Sequence, residues 1–342
     1  MIDLPDHMEF WSDLLEDLVK NYGVGRIALA LCLVAFLCSL SAQAQEAASA
    51  ATVPVRMTVT LSALGDKATM PTVNREDVTV TPGRRGERLK VTGWTAATGA
   101  HAALDLFILI DDASTTALGS QLDSLRSFIN AQPATTAVGV GYMSNATVQI
   151  VQNLTTDHAA AARVVRLPRA NTGAFGSPFL SVVNLMNGWP AHPARRVIVM
   201  VTDGIDRARG GPRARGLGPT NPDVIRASDV AQRTGTIIYT IFHPGVGYRS
   251  RNLWEATNGQ NGIARLSDES GGEAFFLGLQ TPVSFGPFLD GVQTALNNQY
   301  LLEFRAVPGR RAGAQSVSVS TEVPGVEIIS AETAWVPAAN QQ

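Results

Sequence analysis

The sequence predicts an α/β fold: a mostly parallel, doubly wound sheet flanked by helices, with a small β domain built from both termini. Three observations predict it. Leu106-Phe107-Ile108-Leu109-Ile110 and Val197 to Val201 are unbroken apolar runs, the pattern of strands covered on both faces. Strand-like and helix-like segments alternate around them, as in a wound sheet. Short β-type runs broken by Gly, Pro and Asn crowd both ends of the chain and leave no room for helices.

The chain opens on a leader, residues 1–44. Lys20 and Arg26 precede apolar Ile27 to Leu40, which is too short to span a bilayer comfortably. Ala42-Gln43-Ala44 then offers the small residues a signal peptidase reads. The expectation is cleavage after Ala44 and a secreted or periplasmic chain that does not span the membrane. Glu46 to Ala51 is a linker. Strand-like runs at 55–61, 77–81 and 88–92 make an amino-terminal β segment, residues 45–100.

The α/β domain is expected over residues 101–305. After the strand ending at Asp111, a helix over Gly119 to Ile129 puts Leu122, Leu125, Phe128 and Ile129 on one face. Thr136 to Met143 and Thr147 to Gln152 read as an antiparallel edge pair around Ser144-Asn145. Asp157 can cap a helix over His158 to Leu167. Ser177-Pro178 can start another, with Pro at the first helical position. Past the strand ending at Asp203 come an Arg-rich loop, a helix over 222–234, a strand over 236–242 and a loop over 243–251. Leu253 to Glu269 reads as helix interrupted around Asn258 to Gly262. A short strand over 273–277 and a helix over 285–298, with Phe288, Leu289, Val292 and Leu296 at helical spacing, complete the domain. Runs at 300–305, 315–321 and 326–334 are strand-like and lead through a carboxy-terminal β segment, residues 306–342. The two terminal sets are each too few to stand alone and should share one domain.

Composition narrows the function. The 342 residues are 45% hydrophobic and 16% charged, which is globular. A net charge of −2 gives no general pull toward nucleic acid. Both cysteines, Cys32 and Cys38, lie in the leader, so the mature chain has no thiol nucleophile and no disulfide. The five histidines are isolated and fit no metal-ligand spacing; there is no GxSxG and no P-loop lysine. No enzyme is expected.

Chemistry gathers where the two apolar runs end. Asp111-Asp112 is followed by Ser114, Thr115 and Thr116, and the second run ends in Thr202-Asp203-Gly204. Open α/β sheets bind ligands at the carboxyl ends of their strands. Carboxylate and hydroxyl oxygens there suit a hard cation. With these residues the stretch from about Leu104 to Arg305 resembles the von Willebrand factor type A domain. Its metal-ion-dependent adhesion site joins an Asp-x-Ser-x-Ser loop, a Thr from a second loop and an Asp from a third.

The resemblance implies a metal set drawn from Asp111, Asp112, Ser114, Thr116, Ser177 and Asp203. Two registers are open. From Asp111, which ends the strand, Ala113 replaces one hydroxyl and Thr115 supplies the other. From Asp112, Ser114 and Thr116 supply both, and this chemically complete register is preferred. Ser177 matches the second-loop Thr by position, with Thr172 as substitute; Asp203 matches the third-loop Asp. The implied cofactor is Mg²⁺, or Mn²⁺ or Ca²⁺, and the implied partner a protein ligand whose acidic side chain completes the coordination sphere. The alternative is a metal-free scaffold with a vestigial site, its Asp residues merely capping helices. Arg207 to Arg215 is either a partner-steering loop or a solvated one. Tyr248, Arg249, Arg251 and Trp254 have the composition of interface anchors, although Trp254 suits a core equally.

Overall fold

The computed structural model describes residues 52–65, 70–83, 86–170, 176–190, 192–208, 220–246, 253–278 and 280–339. The leader with its cleavage site, the linker, Thr172, Arg209 to Arg215, Tyr248, Arg249 and Arg251 lie outside the described residues.

A six-stranded sheet forms the centre. In chain order its strands are β4 (Leu104–Asp111), β5 (Thr136–Ser144), β6 (Thr147–Thr155), β7 (Arg195–Thr202), β8 (Thr236–Phe242) and β9 (Ala274–Phe275). Their spatial order is β6-β5-β4-β7-β8-β9, all parallel except β6, which returns antiparallel from β5 through Asn145 and Ala146, both at positive φ. Every residue of β4 is buried. Its alternating side chains feed two cores. Leu104, Leu106, Ile108 and Ile110 pack with α1 (Leu122–Asn130), α2 (His158–Arg163) and α6 (Gly286–Asn297). Phe107 and Leu109 pack with α3 (Pro178–Gly188), α4 (Pro222–Thr234) and α5 (Leu253–Ser270). Three layers, helix on sheet on helix, explain why this strand carries no polar alternation.

Five local expectations need correction. The run read over 326–334 is two strands, Val326–Ile329 and Thr333–Val336, in different sheets. The helix expected from Gly119 begins at Leu122, after a 3-10 turn over Thr116–Gln121. The helix over His158 stops at Arg163, with Asp157 capping it by accepting from Ala160 N. The strand read over 88–92 is β3 (Val91–Ala96), and Leu89 makes only an isolated bridge to Val80. The expected break at Asn258 to Gly262 is absent: α5 runs through it. Its glycines serve close packing. A Cβ on Gly259 would stand 2.5 Å from Asp203 O, and one on Gly262 would stand 2.9 Å from the Phe179 ring. Absent side chains let α5 press on the loop after β7.

The terminal strands form two further sheets. One has the order β12-β1-β10-β3, from β12 (Val326–Ile329), β1 (Val53–Ala63), β10 (Gln299–Ala306) and β3. The other has the order β13-β11-β2, from β13 (Thr333–Val336), β11 (Gly313–Thr321) and β2 (Val78–Pro82). Both contribute to one apolar core, with Val55, Val59 and Phe304 from the first and Val80, Val319 and Val336 from the second. Neither end of the chain could close this core alone.

Candidate functional site

Parallel pairing sets the site. β4 and β7 run in register, Ile110 beside Val201, so both deliver their next residues to one edge. Asp111 ends β4 and is buried. Its Oδ2 accepts from Thr202 Oγ1 at 2.8 Å and its Oδ1 from Ala113 N at 2.9 Å. Asp203 follows β7; its Oδ1 accepts from Ile205 N at 2.9 Å. Gly204 turns the chain at φ +69, where a Cβ would strike Gly259 O at 2.3 Å. That is the physical reason for the glycine of the Thr-Asp-Gly motif here.

Two buried carboxylates at one edge repel each other. Burial first, and then the Asp203 charge, push the Asp111 carboxyl up to about 6. Arg207, the Ala113 N–H and the Thr202 hydroxyl pull it back. Arg207 is the unforeseen member of the site. Its Nη2 donates to Asp203 Oδ2 at 2.8 Å, and its side chain is only 10% exposed. The backbone is clamped as well, because Arg207 N and Ala208 N both donate to Gly176 O, at 2.6 and 3.0 Å. The loop after β8 closes the other side. A Cβ on Gly245 would lie 2.4 Å from Asp203 Oδ2 and 2.7 Å from Arg207 Nη2.

Asp111, Ala113, Ser177 and Arg207 are among the residues that line one small cleft of about 10 Å³, together with Ser144, Asn145 and Gly176. Ser177 also caps α3, its Oγ accepting from Leu180 N at 3.4 Å. The other sequence-derived candidates are elsewhere. Asp112 turns to Arg166, which grips both carboxylate oxygens at 2.8 and 3.2 Å, and it accepts from Arg169 N at 2.9 Å. Arg166 in turn lies over the Tyr142 ring, 3.7 Å from its centroid. Ser114 is fully buried, bridges to Gly245 through its backbone and leaves its Oγ without a hydrogen-bond partner. Thr116 opens the 3-10 turn and is exposed. The Asp111 register is therefore the one that reaches the cleft, with Ala113 there in place of a hydroxyl. In the preferred Asp112 register the carboxylate is paired with Arg166 and does not line the cleft.

A resident Mg²⁺, Mn²⁺ or Ca²⁺ needs several oxygens free to turn toward it. Here Asp203 Oδ2 is held by a guanidinium, Ala113 offers no donor, and Ser114 and Thr116 do not line the cleft. Among the described residues no group of three or more His, Cys, Asp or Glu could hold a metal. The residues present do not fit a resident divalent cation.

Arg207 was visible only as the first of four arginines in a Gly-rich loop. Its one local signal is its place four residues after Asp203. Trp254 is exposed, which removes it from the core. His243 is buried, and burial lowers it to about 4 against the Pro244 backbone and the Asp203 charge, which pull it up. Among the described helices none is long and apolar enough to cross a membrane.

No protein-family model and no curated protein matches the sequence. Among solved structures, the chain is similar to an aerotolerance-related membrane protein from Bacteroides fragilis, at 14% identity over 57% of this chain and 99% of that one, with a TM-score of 0.39. It is similar to the ArnB paralog VWA2 from Sulfolobus acidocaldarius, at 10% identity over 84% and 76%, with a TM-score of 0.36. It is also similar to the SpRpn10 VWA domain, at 15% identity over 46% and 82%, with a TM-score of 0.30.

Proposed function

We propose that the protein is a secreted binding module of the von Willebrand factor type A kind. It engages a protein ligand at the carboxyl edge of the six-stranded sheet, and it does so without a divalent cation. The Arg207–Asp203 ion pair carries this reading, because it places a positive group of the chain's own against the buried carboxylates. Engagement through Mg²⁺ draws support from those two carboxylates, but the guanidinium would have to leave first. An enzyme reading has less to rest on: burial lowers His243 to about 4, which makes it a poor base for a nucleophile.

Export with cleavage after Ala44 belongs to the same proposal, as does the division into flanking segments 45–100 and 306–342 around a binding domain at 101–305. Intact mass of the chain from its own host should begin at Gln45. Ligand engagement is tested by a photo-crosslinking residue placed, in that host, at Ala117 or Trp254 on the carboxyl edge. Ala134, exposed at the opposite edge, is the control. A discrete protein adduct is expected from the first two positions only. Equal labelling from all three, or none from the edge, would overturn the reading.

A further inference from the structure

Asp111, Ser177 and Arg207 line the cleft, and the Arg207 guanidinium ties Asp203 to it. Asp111 and Asp203 together bring two negative charges, and Arg207 brings one positive charge. Burial makes an unbalanced pair of carboxylates costly, so something cationic has to stand between them. The guanidinium is held there mainly by charge. Its Nη2 reaches Asp203, while its buried Nε has no hydrogen-bond partner. A guanidinium selected for hydrogen bonding would use its fork in a bidentate grip, as Arg166 does on Asp112. The tether is also short and fixed: Arg207 N donates to Gly176 O, one residue before Ser177. Gly245 leaves no space for a Cβ against either partner.

We propose that Arg207 is a tethered counter-cation: its guanidinium binds Asp203 and lines the cleft with Asp111 and Ser177, and removing it creates a divalent-cation site that the natural chain lacks. This inference rests on the cation-free reading of the edge and goes further, to a site latent in the same residues. Without the guanidinium, Asp203 Oδ2 is freed and the cleft grows by the volume of the side chain. The remaining double negative charge matches one divalent ion. Asp111, Asp203 and Ser177 supply oxygens, and waters fill the other positions, as Mg²⁺ and Mn²⁺ commonly require.

The test uses Mn²⁺, followed by electron paramagnetic resonance and by calorimetry, on the mature chain and on Arg207→Ala. The natural chain should show no saturable site and no change in Tm with Mn²⁺. Arg207→Ala should bind one Mn²⁺ and gain Tm as Mn²⁺ is added. Adding Asp203→Asn to it should weaken that binding by at least roughly 10-fold. If Arg207→Ala does not fold, Arg207→Gln is titrated instead, because it keeps most of the volume and drops the charge. One tight Mn²⁺ on the natural chain would sink the cation-free reading itself. A folded Arg207 variant that binds no Mn²⁺, or binds it with no dependence on Asp203, would leave that reading standing and overturn the counter-cation.

Discussion

Replacing Asp112 separates a structural carboxylate from a metal ligand. Asp112 is buried, with its side chain 4% exposed, and it accepts three hydrogen bonds: two from Arg166 and one from Arg169 N. Removing one partner of a buried ion pair typically costs about 3–5 kcal/mol. Arg166 is 32% exposed, so its charge can reach water once the carboxylate is gone, and the lower end applies: about 3 kcal/mol for Asp112→Ala. Asp112→Asn keeps one acceptor for Arg169 N and should cost about 2 kcal/mol. At roughly 2–4 °C per kcal/mol for a domain of this size, Asp112→Ala should lower Tm by about 6–12 °C. The assay is thermal unfolding with and without millimolar Mg²⁺, with Arg166→Met and the double variant closing a cycle. A coupling of about 2 kcal/mol, indifferent to Mg²⁺, is expected. A Tm shift below 1 °C, or one present only when Mg²⁺ is present, would refute the assignment.

Three further outcomes follow from the same contacts. Gly245→Ala drives a methyl into Asp203 and Arg207 and should cost about 1–3 kcal/mol in urea unfolding; Arg207→Ala in the same chain should relieve part of it, and strict additivity of the two would count against the packing described. Ser177→Ala removes a helix cap whose bond is long, so calorimetric unfolding should register only about 0.5–1 kcal/mol, and a loss above 2 kcal/mol would give Ser177 some other structural partner. Acidification sets Asp111 against His243. Asp111, raised to about 6, contributes stability that is present below its ordinary 3.8 and lost as pH rises through 6. His243, lowered to about 4, contributes stability that is present above its ordinary 6.5 and lost as pH falls through 4. Between pH 4 and 6 the two slopes oppose each other. Asp111→Asn should therefore expose a loss of stability on acidification of up to ~1.4 kcal/mol per pH unit, and His243→Gln the reverse trend; superimposable urea midpoints from pH 4 to 7 for all three chains would contradict both shifts.

What the sequence reveals and what it hides divide along the range of the interactions. β4 and β7 are legible because a strand covered on both faces can have no polar alternation, and Phe107-Ile108-Leu109 has none. The terminal β runs are legible as partners because neither set could close a core alone. α5 misleads for the opposite reason. Gly259 and Gly262 look like helix breaks, and only the nearness of Asp203 O and the Phe179 ring explains why glycine is required within a continuous helix. Local propensity costs about 1 kcal/mol per glycine, and that cost is offset by packing a sequence reading cannot see.

The site divides in the same way. That Asp111 and Asp203 share an edge follows from two apolar runs that both end in Asp. That Asp111, and not Asp112, faces the cleft depends on Arg166, which lies 54 residues further along the chain. By hydroxyl count alone the Asp112 register is the better ligand set, so motif chemistry pointed to a carboxylate that an ion pair had already claimed. Arg207 is the sharper case. Gly and Pro around it suggest a loop solvated throughout, yet the backbone of Arg207 is pinned to Gly176 and its side chain is nine-tenths buried. Composition describes the segment, but two hydrogen bonds decide one residue within it. An arginine in that place changes what the edge can bind. A metal would offer an incoming acid open coordination positions, whereas a guanidinium already paired with Asp203 offers little positive charge to spare. Under the proposed cation-free reading, ligand recognition rests on exposed groups such as Trp254 and not on a metal. Weak dependence of binding on divalent cations is what the proposed cation-free reading expects, because Arg207 and Asp203 face each other and are both buried.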